Sequence, residues 1–344
     1  MKTKVMVGMS GGIDSSVTAY MLQKEGYEVE GVYLKLHNRD DGYHERNLGY
    51  IKDVAEFLNI KYHLLDLSDK FTAEIYDYFV ESYLEGTTPN PCVKCNKQIK
   101  FGAMLDFAKE HGSSFLATGH YAKTDGEFFY EADDKTKDQS YFLSQVDKKA
   151  LPFMMFPLST YKKEDIVKFG ATLSNVYKRI TEKNESQEIC FVETVYTDVI
   201  SRHANIDMPG DVLDEKGNVI GEHKGYMHYT IGKRKGFTVK GAHEPHFVKE
   251  LNPKTNTIVV GKKEVLEVNK VVTSGLNMFI DDKEFTATVK LRYRSNSTPC
   301  DVKIENEKAY ITLKEPAFGV ASGQLAVFYD DQKVIGSAWI ESTK

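Results

Sequence analysis

The stretch Lys4–Ser16, KVMVGMSGGIDSS, places the strongest constraint on what this chain can fold into. Val5–Val7 predict a short buried strand, Ser15–Lys24 predicts a helix, and a glycine-rich turn joins them. Backbone N–H groups in such a turn, with the positive end of the helix dipole behind them, can hold a phosphate. Neither the Gly-Lys-Ser/Thr ending of a Walker loop nor the GxGxxG of a dinucleotide-binding loop is present. The alternative is a turn that only connects strand and helix.

The segment SGGIDS carries a carboxylate, Asp14, where a Walker loop would carry its lysine. It resembles the PP-loop of the ATP pyrophosphatases, a family that splits ATP to AMP and pyrophosphate. The resemblance implies that the loop grips the pyrophosphate portion of ATP. An aspartate suits this role because it can recruit Mg²⁺, which neutralises the leaving pyrophosphate.

Further predicted strands, Tyr27–Leu34, Tyr62–Leu65 and Phe115–Thr118, alternate with helical patterns. Such alternation predicts a parallel sheet that binds ligands at the carboxyl ends of its strands. Leu34 would then lie beside a nucleotide or be an ordinary sheet residue. Gly119 allows a close backbone approach to a ligand, and His120 is either a phosphate or base contact or a structural hydrogen-bonding residue.

The alternation of helix and strand stops near residue 200, and short strands with turn signals follow. From Phe285 to Arg294 apolar and polar residues alternate, which predicts a strand with Lys290, Arg292 and Arg294 on one face. Later strands are sufficient for a small closed barrel, and Gln324 lies on a turn before one of them. This part is β-rich and separate from the parallel sheet.

The chain has 344 residues, enough for two or three domains, and a formal net charge of −5. That charge argues against a general nucleic-acid coat, so contacts with RNA would use local basic patches. Because no apolar run reaches membrane-spanning length, we expect a cytoplasmic protein.

Four cysteines are present, and a disulfide framework is not expected in a cytosolic chain of this length. Prolines before Cys92 and Cys95 predict an exposed loop, where Lys94 and Lys97 would favour the thiolate. The CxxC could instead hold zinc or an iron–sulfur cluster, although no second CxxC completes a four-cysteine site. Cys190 stands in an apolar run, which favours a buried structural cysteine over a catalytic one.

A polar segment, Lys137, Asp138 and Gln139, precedes an apolar helix start and is either an ordinary solvated surface or a surface offered to a substrate.

The whole chain is similar to the tRNA-specific 2-thiouridylases. The motifs that carry the resemblance occur in the family's order: SGGIDSS, GVYLK, TPNPCVKCNKQIKFG, ATGHYA, KDQSYFL, SQEICFV, GYMHYTIGKRKG, LRYR and SGQLAVFY. The resemblance implies an α/β PP-loop domain with a parallel sheet over residues 1–200, a small central β-rich domain over 201–268 and a C-terminal β-barrel over 269–344. The barrel would help to hold the tRNA.

The resemblance also implies site residues. Those for ATP are Gly8, Met9, Ser10, Gly11, Gly12, Ile13, Asp14, Ser15, Leu34 and Gly119. Those for the target base are Asn90, Pro91 and Cys92, and those for the rest of the tRNA are His120, Lys137, Asp138, Gln139, Arg292, Tyr293 and Gln324. The catalytic set is Asp14 with Cys95 as nucleophile and Cys190 as carrier of a persulfide.

The implied reaction replaces the C2 oxygen of the wobble uridine by sulfur after ATP has activated that oxygen. A partner protein would supply the persulfide, and a Cys95–Cys190 disulfide would form and be reduced in each turnover. Many family members carry aspartate at position 92, so a third sulfur here raises an alternative, a [4Fe–4S] cluster held by Cys92, Cys95 and Cys190. Two other classes are a PP-loop ligase or amidotransferase acting on a small molecule and a non-catalytic RNA- or metal-binding protein. The paired cysteines and the basic barrel argue against the former, and SGGIDS argues against the latter.

Overall fold

The structure, a computed structural model, describes residues 2–38, 41–182 and 189–344. Residues 184–188 of the predicted NESQEICFVE segment lie outside the described residues. The strands in chain order are β1 (Lys4–Gly8), β2 (Glu28–Lys35), β3 (Tyr62–Asp66), β4 (Phe115–Thr118), β5 (Lys123–Thr124), β6 (Phe129–Tyr130), β7 (Met154–Met155), β8 (Gly210–Leu213), β9 (Val219–His223), β10 (Phe247–Asn252), β11 (Thr257–Gly261), β12 (Glu267–Met278), β13 (Glu284–Lys290), β14 (Thr298–Glu305), β15 (Lys308–Phe318), β16 (Leu325–Asp330) and β17 (Lys333–Thr343).

The α-helices are α1 (Ile13–Lys24), α2 (Tyr43–Leu58), α3 (Ser68–Phe71), α4 (Asp77–Leu84), α5 (Pro91–Cys95), α6 (Met104–Glu110), α7 (Ser140–Leu143), α8 (Lys163–Leu173), α9 (Asn175–Thr181) and α10 (Tyr196–Ile200). π-Helical turns at Thr72–Tyr76 and Asn96–Ala103 connect α3 to α4 and α5 to α6. Short 3₁₀ helices occupy Lys148–Phe153, Tyr226–His228 and Lys263–Leu266.

The chain divides into two compact units. The first contains Met1–Ile75, Cys92–Gln187 and Gln332–Ile335, and the second contains Tyr76–Pro91, Glu188–Asp331 and Gly336–Lys344.

The first unit is built on a five-stranded parallel sheet in the order β3-β2-β1-β4-β7. Val5, Met6 and Val7 of the central strand are fully buried, as expected for a strand covered on both faces. Helix α1 begins at Ile13, two residues earlier than predicted, so Asp14 lies in its first turn. A negative side chain there is favourable because it faces the positive end of the helix dipole. The predicted parallel sheet is confirmed.

The CxxC segment is helical, and the prediction of an exposed loop was wrong. Pro91 is the first residue of α5, a position where a helix needs no N–H donor and where the fixed φ of proline favours helix formation. The helix continues through the π-helical turn into α6, and it buries Cys95 and half-buries Cys92. Pro91 therefore starts a helix where the sequence had predicted an extended loop.

The second unit contains a four-stranded sheet in the order β10-β11-β8-β9 and a barrel of β12, β15, β14, β13, β16 and β17, closed by pairing of β12 with β17. The predicted central β-rich part and the C-terminal barrel are confirmed. The strand predicted to run to Arg294 is too long, because β13 ends at Lys290. Ser295 Oγ accepts from Arg292 N over 3.3 Å and donates to Arg292 O over 2.9 Å, which closes a turn instead of extending the strand.

Within the described ranges, no helix combines the length and the apolar character needed to cross a membrane.

Candidate active site

The turn after β1 is held in shape by its own serines. Ser15 Oγ accepts a hydrogen bond from Ser10 N over 3.2 Å and donates one to Gly12 O over 3.1 Å. Met9 N donates to Val32 O over 2.8 Å, which ties the turn to β2. Gly11 has φ +75° and faces Asn47, where a Cβ would lie 3.0 to 3.1 Å from that residue. The turn is therefore a fixed cradle of small residues at a helix start.

The end of β4 closes against this cradle at Gly119. A Cβ on Gly119 would lie 2.9 Å from both Asp14 Cβ and Ser15 N, closer than real Cβ contacts. Glycine is therefore required for the two segments to meet. The close approach to a ligand that the sequence predicted at this position stays a prediction. Leu34 lies in β2, beside β1 in the sheet, and is half-buried. The predicted ATP residues of the first unit thus lie at one edge of the sheet, and the cradle fits a polyphosphate.

The carboxylate of Asp14 has two partners that the sequence did not indicate. Lys163 Nζ lies 2.6 Å from Oδ2, and Tyr121 OH donates to Oδ1 over 2.9 Å. They are separated from Asp14 by 149 and 107 positions in the chain, so no local motif announces them. A single carboxylate beside phosphates is a sufficient protein ligand for Mg²⁺, which keeps several waters and binds substrate oxygens. The residues present therefore fit MgATP.

Both cysteines of the CxxC are less acidic than predicted. Burial raises the pKa of Cys95 to about 11, and Lys100 opposes that effect only in part. Burial also raises the pKa of Cys92. The expectation of an exposed, thiolate-like cysteine was wrong, because the helix removes the sulfur from water and desolvation penalises the anion.

Lys100, in the π-helical turn, is a cation that acts on this site, whereas the sequence had drawn attention to Lys94 and Lys97. Against the larger effect of burial, its charge favours the lower pKa of Cys92 and Cys95, and it adds to the effect of burial on His120. Lys100 Nζ lies 3.4 Å from His120 Nε2, and His120 Nδ1 lies 2.7 Å from Thr118 Oγ1. Since an ammonium can only donate, Nε2 accepts and Nδ1 carries the proton. Burial, reinforced by Lys100, lowers the pKa of His120 well below its usual value, so the ring is neutral.

The polar segment before α7 is a packed turn. Asp138 is buried, and Oδ1 accepts from Ala132 N over 2.9 Å while Oδ2 accepts from Ser140 Oγ over 2.8 Å. Gln139 Oε1 accepts from Tyr121 N over 3.0 Å. The interpretation of this segment as a solvated surface is wrong for Asp138, because its buried carboxylate accepts hydrogen bonds from Ala132 N and Ser140 Oγ. Lys137 and Gln139 are half-buried.

In the second unit, Gln324 holds the segment that precedes α5. Its Nε2 donates to Thr88 O and to Pro89 O, both over 3.0 Å. Thr88 N in turn donates to Ser322 O over 3.0 Å. Asn90 and Pro91 are buried, and Asn90 N donates to Tyr78 OH over 3.3 Å. The structure thus brings predicted base-contact and barrel residues together within this unit.

Two more predicted tRNA residues of the second unit lie in the turn after β13. Arg292 is half-buried, and one Nη donates to Ile231 O over 2.9 Å. Tyr293 is also half-buried. The arginine links this turn to the start of the basic GKRKG segment, residues 232–236.

Cys190 is exposed to solvent, so the prediction of a buried cysteine was wrong. Phe191 and Val192 beside it are buried, and the Phe191 ring contacts Phe79 with ring centroids 5.0 Å apart. The apolar run is therefore anchored by its other members, while Cys190 itself is exposed. None of the four cysteines, all of them described, forms a disulfide bond. Cys300 is buried in β14, where burial raises its pKa to about 12.

The described part of the chain contains no group of three or more His, Cys, Asp or Glu side chains that could hold a metal ion. MgATP needs no such group, because the phosphates supply the remaining ligands.

The parallel sheet, the glycine cradle after β1 and the carboxylate at its helix start define an α/β nucleotide-binding domain of the PP-loop class. Sequence profiles described as "tRNA methyl transferase HUP domain", "tRNA methyl transferase PRC-barrel domain" and "Aminomethyltransferase beta-barrel domain" match residues 3–194, 197–262 and 268–340. The chain belongs to the family of tRNA-specific 2-thiouridylases.

Its relatives match along their whole length. The tRNA-specific 2-thiouridylase MnmA 1 of Aliarcobacter butzleri is 81% identical over 343 residues, which cover 100% of this chain and 99% of the relative. The MnmA enzymes of Sulfurimonas denitrificans and Campylobacter jejuni are 54% and 53% identical, and each alignment covers at least 98% of both chains.

Proposed function

We propose that this chain is a tRNA-uridine 2-sulfurtransferase that converts C2=O of the wobble uridine to C2=S and releases AMP and pyrophosphate. The full-length relatives bear the name tRNA-specific 2-thiouridylase. The words "methyl transferase" in the profile descriptions name a different chemistry. Adenylation requires a phosphate-binding loop, and the sulfur transfer that follows requires two cysteines. The presence of both features supports thiolation as the reaction.

Activation comes first because the uridine carbonyl is urea-like and its oxygen leaves poorly. The uridine O2 attacks the α-phosphorus of ATP, the new O–P bond forms, and pyrophosphate leaves. The loop Gly8–Ser15 donates N–H groups to the phosphates, and Gly119 and Leu34 border the nucleotide. Asp14 would hold Mg²⁺, which neutralises charge on the departing pyrophosphate.

Sulfur transfer then uses the two cysteines. In one route the terminal sulfur of a Cys190 persulfide attacks C2 and expels AMP. Cys95 then attacks the sulfur of Cys190, which forms the Cys95–Cys190 disulfide and leaves the sulfur on C2. In the other route Cys95 attacks the persulfide first, the same disulfide forms, and the released hydrosulfide attacks C2. Both routes require a thiol reductant to reopen the disulfide and a donor protein to renew the persulfide.

Lys100 assists Cys95 at this point. Its ammonium favours the thiolate that either route requires, against the effect of burial. His120 stays neutral and keeps Lys100 in place by accepting its hydrogen bond.

The proposed tRNA contacts are those that the resemblance to the family implies. Asn90, Pro91 and Cys92 contact the target base, which must leave the anticodon stack to reach them. His120, the segment 137–139, and Arg292, Tyr293 and Gln324 contact the rest of the tRNA. Residues 1–200 form the catalytic domain, 201–268 the central domain and 269–344 the tRNA-binding barrel.

The observation that carries the proposal is that one compact unit holds both the PP-loop cradle closed by Gly119 and the Lys100–Cys95 pair. The test is incubation of unmodified tRNA with protein, MgATP and a persulfide donor under reducing conditions, followed by nucleoside analysis for 2-thiouridine. Cys95→Ser and Cys190→Ser should each abolish the product, whereas Cys300→Ala should retain it. Product formation without ATP, or by either serine variant, would contradict the proposal.

A further inference from the structure

The Asp14 carboxylate is engaged on both oxygens in this structure. Lys163 takes Oδ2 at 2.6 Å and Tyr121 takes Oδ1 at 2.9 Å. A Mg²⁺ ion beside the loop binds a carboxylate oxygen together with phosphate oxygens. The lysine and the cation therefore compete for the same carboxylate.

Helix packing places Lys163 at this point. Lys163, Ile166 and Gly170 are buried at spacings of three and four residues, so they share one face of α8. At Gly170 a Cβ would lie 2.5 Å from Ile13 Cδ1, which shows how closely α8 approaches the first turn of α1. The neighbouring Lys162 is exposed. A buried ammonium requires an anionic partner, so this lysine is held at the cradle.

The cradle has no cation of its own. Residues 8–16 contain backbone donors and hydroxyl groups, and the only ionised side chain among them is the carboxylate of Asp14. A Walker loop obtains its positive charge from a lysine within the loop. Here a lysine 149 positions away reaches the same kind of loop from another helix.

We propose that Lys163 is a pyrophosphate-binding residue that exchanges partners. Without nucleotide it neutralises Asp14. When ATP binds, its ammonium moves to an oxygen of the β- or γ-phosphate, and Asp14 Oδ2 becomes available to Mg²⁺. This inference rests on the proposed function, because it assigns a residue to the ATP site of that reaction.

The test is calorimetric titration of the full chain with MgATP, magnesium pyrophosphate and AMP. Lys163→Met should weaken ATP and pyrophosphate binding by roughly 10- to 100-fold, the range for loss of a charge-assisted hydrogen bond. AMP affinity should change by less than about twofold, because AMP lacks the β- and γ-phosphates. Lys162→Met removes the same charge one residue away and should bind all three ligands as the wild type does. Lys163→Arg should recover part of the pyrophosphate affinity.

Thermal unfolding of the Lys163 variants without ligand distinguishes a loss of phosphate binding from a loss of folding stability. Lys163→Gln is the second variant, since it keeps a polar side chain if Lys163→Met does not fold. An equal loss of affinity for AMP and pyrophosphate, or unchanged or tighter pyrophosphate binding, would overturn the exchange. If wild-type protein made 2-thiouridine and only the lysine variants behaved unexpectedly, the inference alone would fail. Absence of ATP binding and of 2-thiouridine in the wild type would instead reject the proposed function.

Discussion

The two cysteines assigned to sulfur transfer occupy opposite environments. Cys95 is buried in a helix of the first unit, where burial raises its pKa to about 11. Cys190 is exposed in the second unit, beside anchored apolar neighbours. An exposed sulfur can be reached by another protein, which suits acceptance of a persulfide. A buried thiol with a nearby cation suits a step from which water is excluded. Under the proposed function, these two environments would suit two cysteines that perform distinct halves of one reaction.

The largest expected effect is the contrast in alkylation. At pH 8 a thiol of pKa about 11 is ionised to about one part in 1,000, against about one part in ten for an ordinary thiol of pKa 9.0. Because burial also restricts access of the reagent to Cys95, we expect iodoacetamide to modify the exposed Cys190 at least about 100-fold faster, as followed by mass spectrometry of tryptic peptides. Because the thiolate reacts, the Cys95 rate should rise about tenfold per pH unit between pH 7 and 10. A Cys95 profile that levels off below pH 9, or equal rates for both thiols, would break the comparison.

The next effect concerns the first unit alone. Gly119→Ala places a Cβ 2.9 Å from Asp14 Cβ and Ser15 N, so the cradle must shift. We expect ATP affinity to fall about 30-fold, equivalent to ~2 kcal/mol, with the alkylation of Cys190 unchanged.

The matched control for this variant is Gly49→Ala. Gly49 lies inside α2, and a Cβ there meets no atom within 4 Å. ATP affinity should be retained in this variant, as measured by the same titration. Equal behaviour of the two alanine variants would show that Gly119 does not shape the nucleotide site.

A smaller effect is expected from the cation beside Cys95. Lys100→Met should raise the pKa of Cys95 further and slow its alkylation about tenfold at pH 8, with Cys190 unaffected. The same change should move the pKa of His120 upward, which ¹H–¹³C NMR titration would detect. Lys97→Met, an exposed lysine of the same π-helical turn, is the control and should change neither value. An unchanged alkylation rate in Lys100→Met would remove the lysine from the proposed chemistry.

The smallest effect is expected in the second unit. Gln324→Ala removes two hydrogen bonds to the carbonyls of Thr88 and Pro89, each worth about 1 kcal/mol. Faster amide hydrogen exchange in residues 86–90 and about fivefold weaker tRNA binding should follow, with unchanged ATP affinity. Gln332→Ala, at an exposed glutamine, serves as the control. Weaker tRNA binding without faster exchange would show that Gln324 acts through its tRNA contact alone and does not position residues 88 and 89.

The sequence predicted the parts of the fold that depend on local pattern. The buried strand Val5–Val7, the glycine turn and the strand Phe115–Thr118 were expected, because their chemistry is contained in a few consecutive residues. The environment of the cysteines was not, since Pro91 can either interrupt a helix or begin one. Cys190 was misplaced for a similar reason: an apolar run does not say which member faces outward.

The missed residues of the site share one property. Lys163 and Tyr121 approach Asp14 only after distant segments have packed, and Lys100 acts on Cys95 through a π-helical turn. Lys94 and Lys97 were chosen because they are adjacent in sequence. Neither spacing nor composition identifies a partner that tertiary packing supplies.

The contact of Gln324 with residues 88 and 89 has a consequence for how this enzyme can be dissected. Gly323 leaves no space for a side chain, because a Cβ would lie 2.7 Å from Thr88 O. The carboxyl-terminal domain therefore holds in place the stretch that leads to helix α5. Deleting that domain would create a catalytic defect even toward a minimal substrate that never touches it, so truncated forms would misreport the origin of activity.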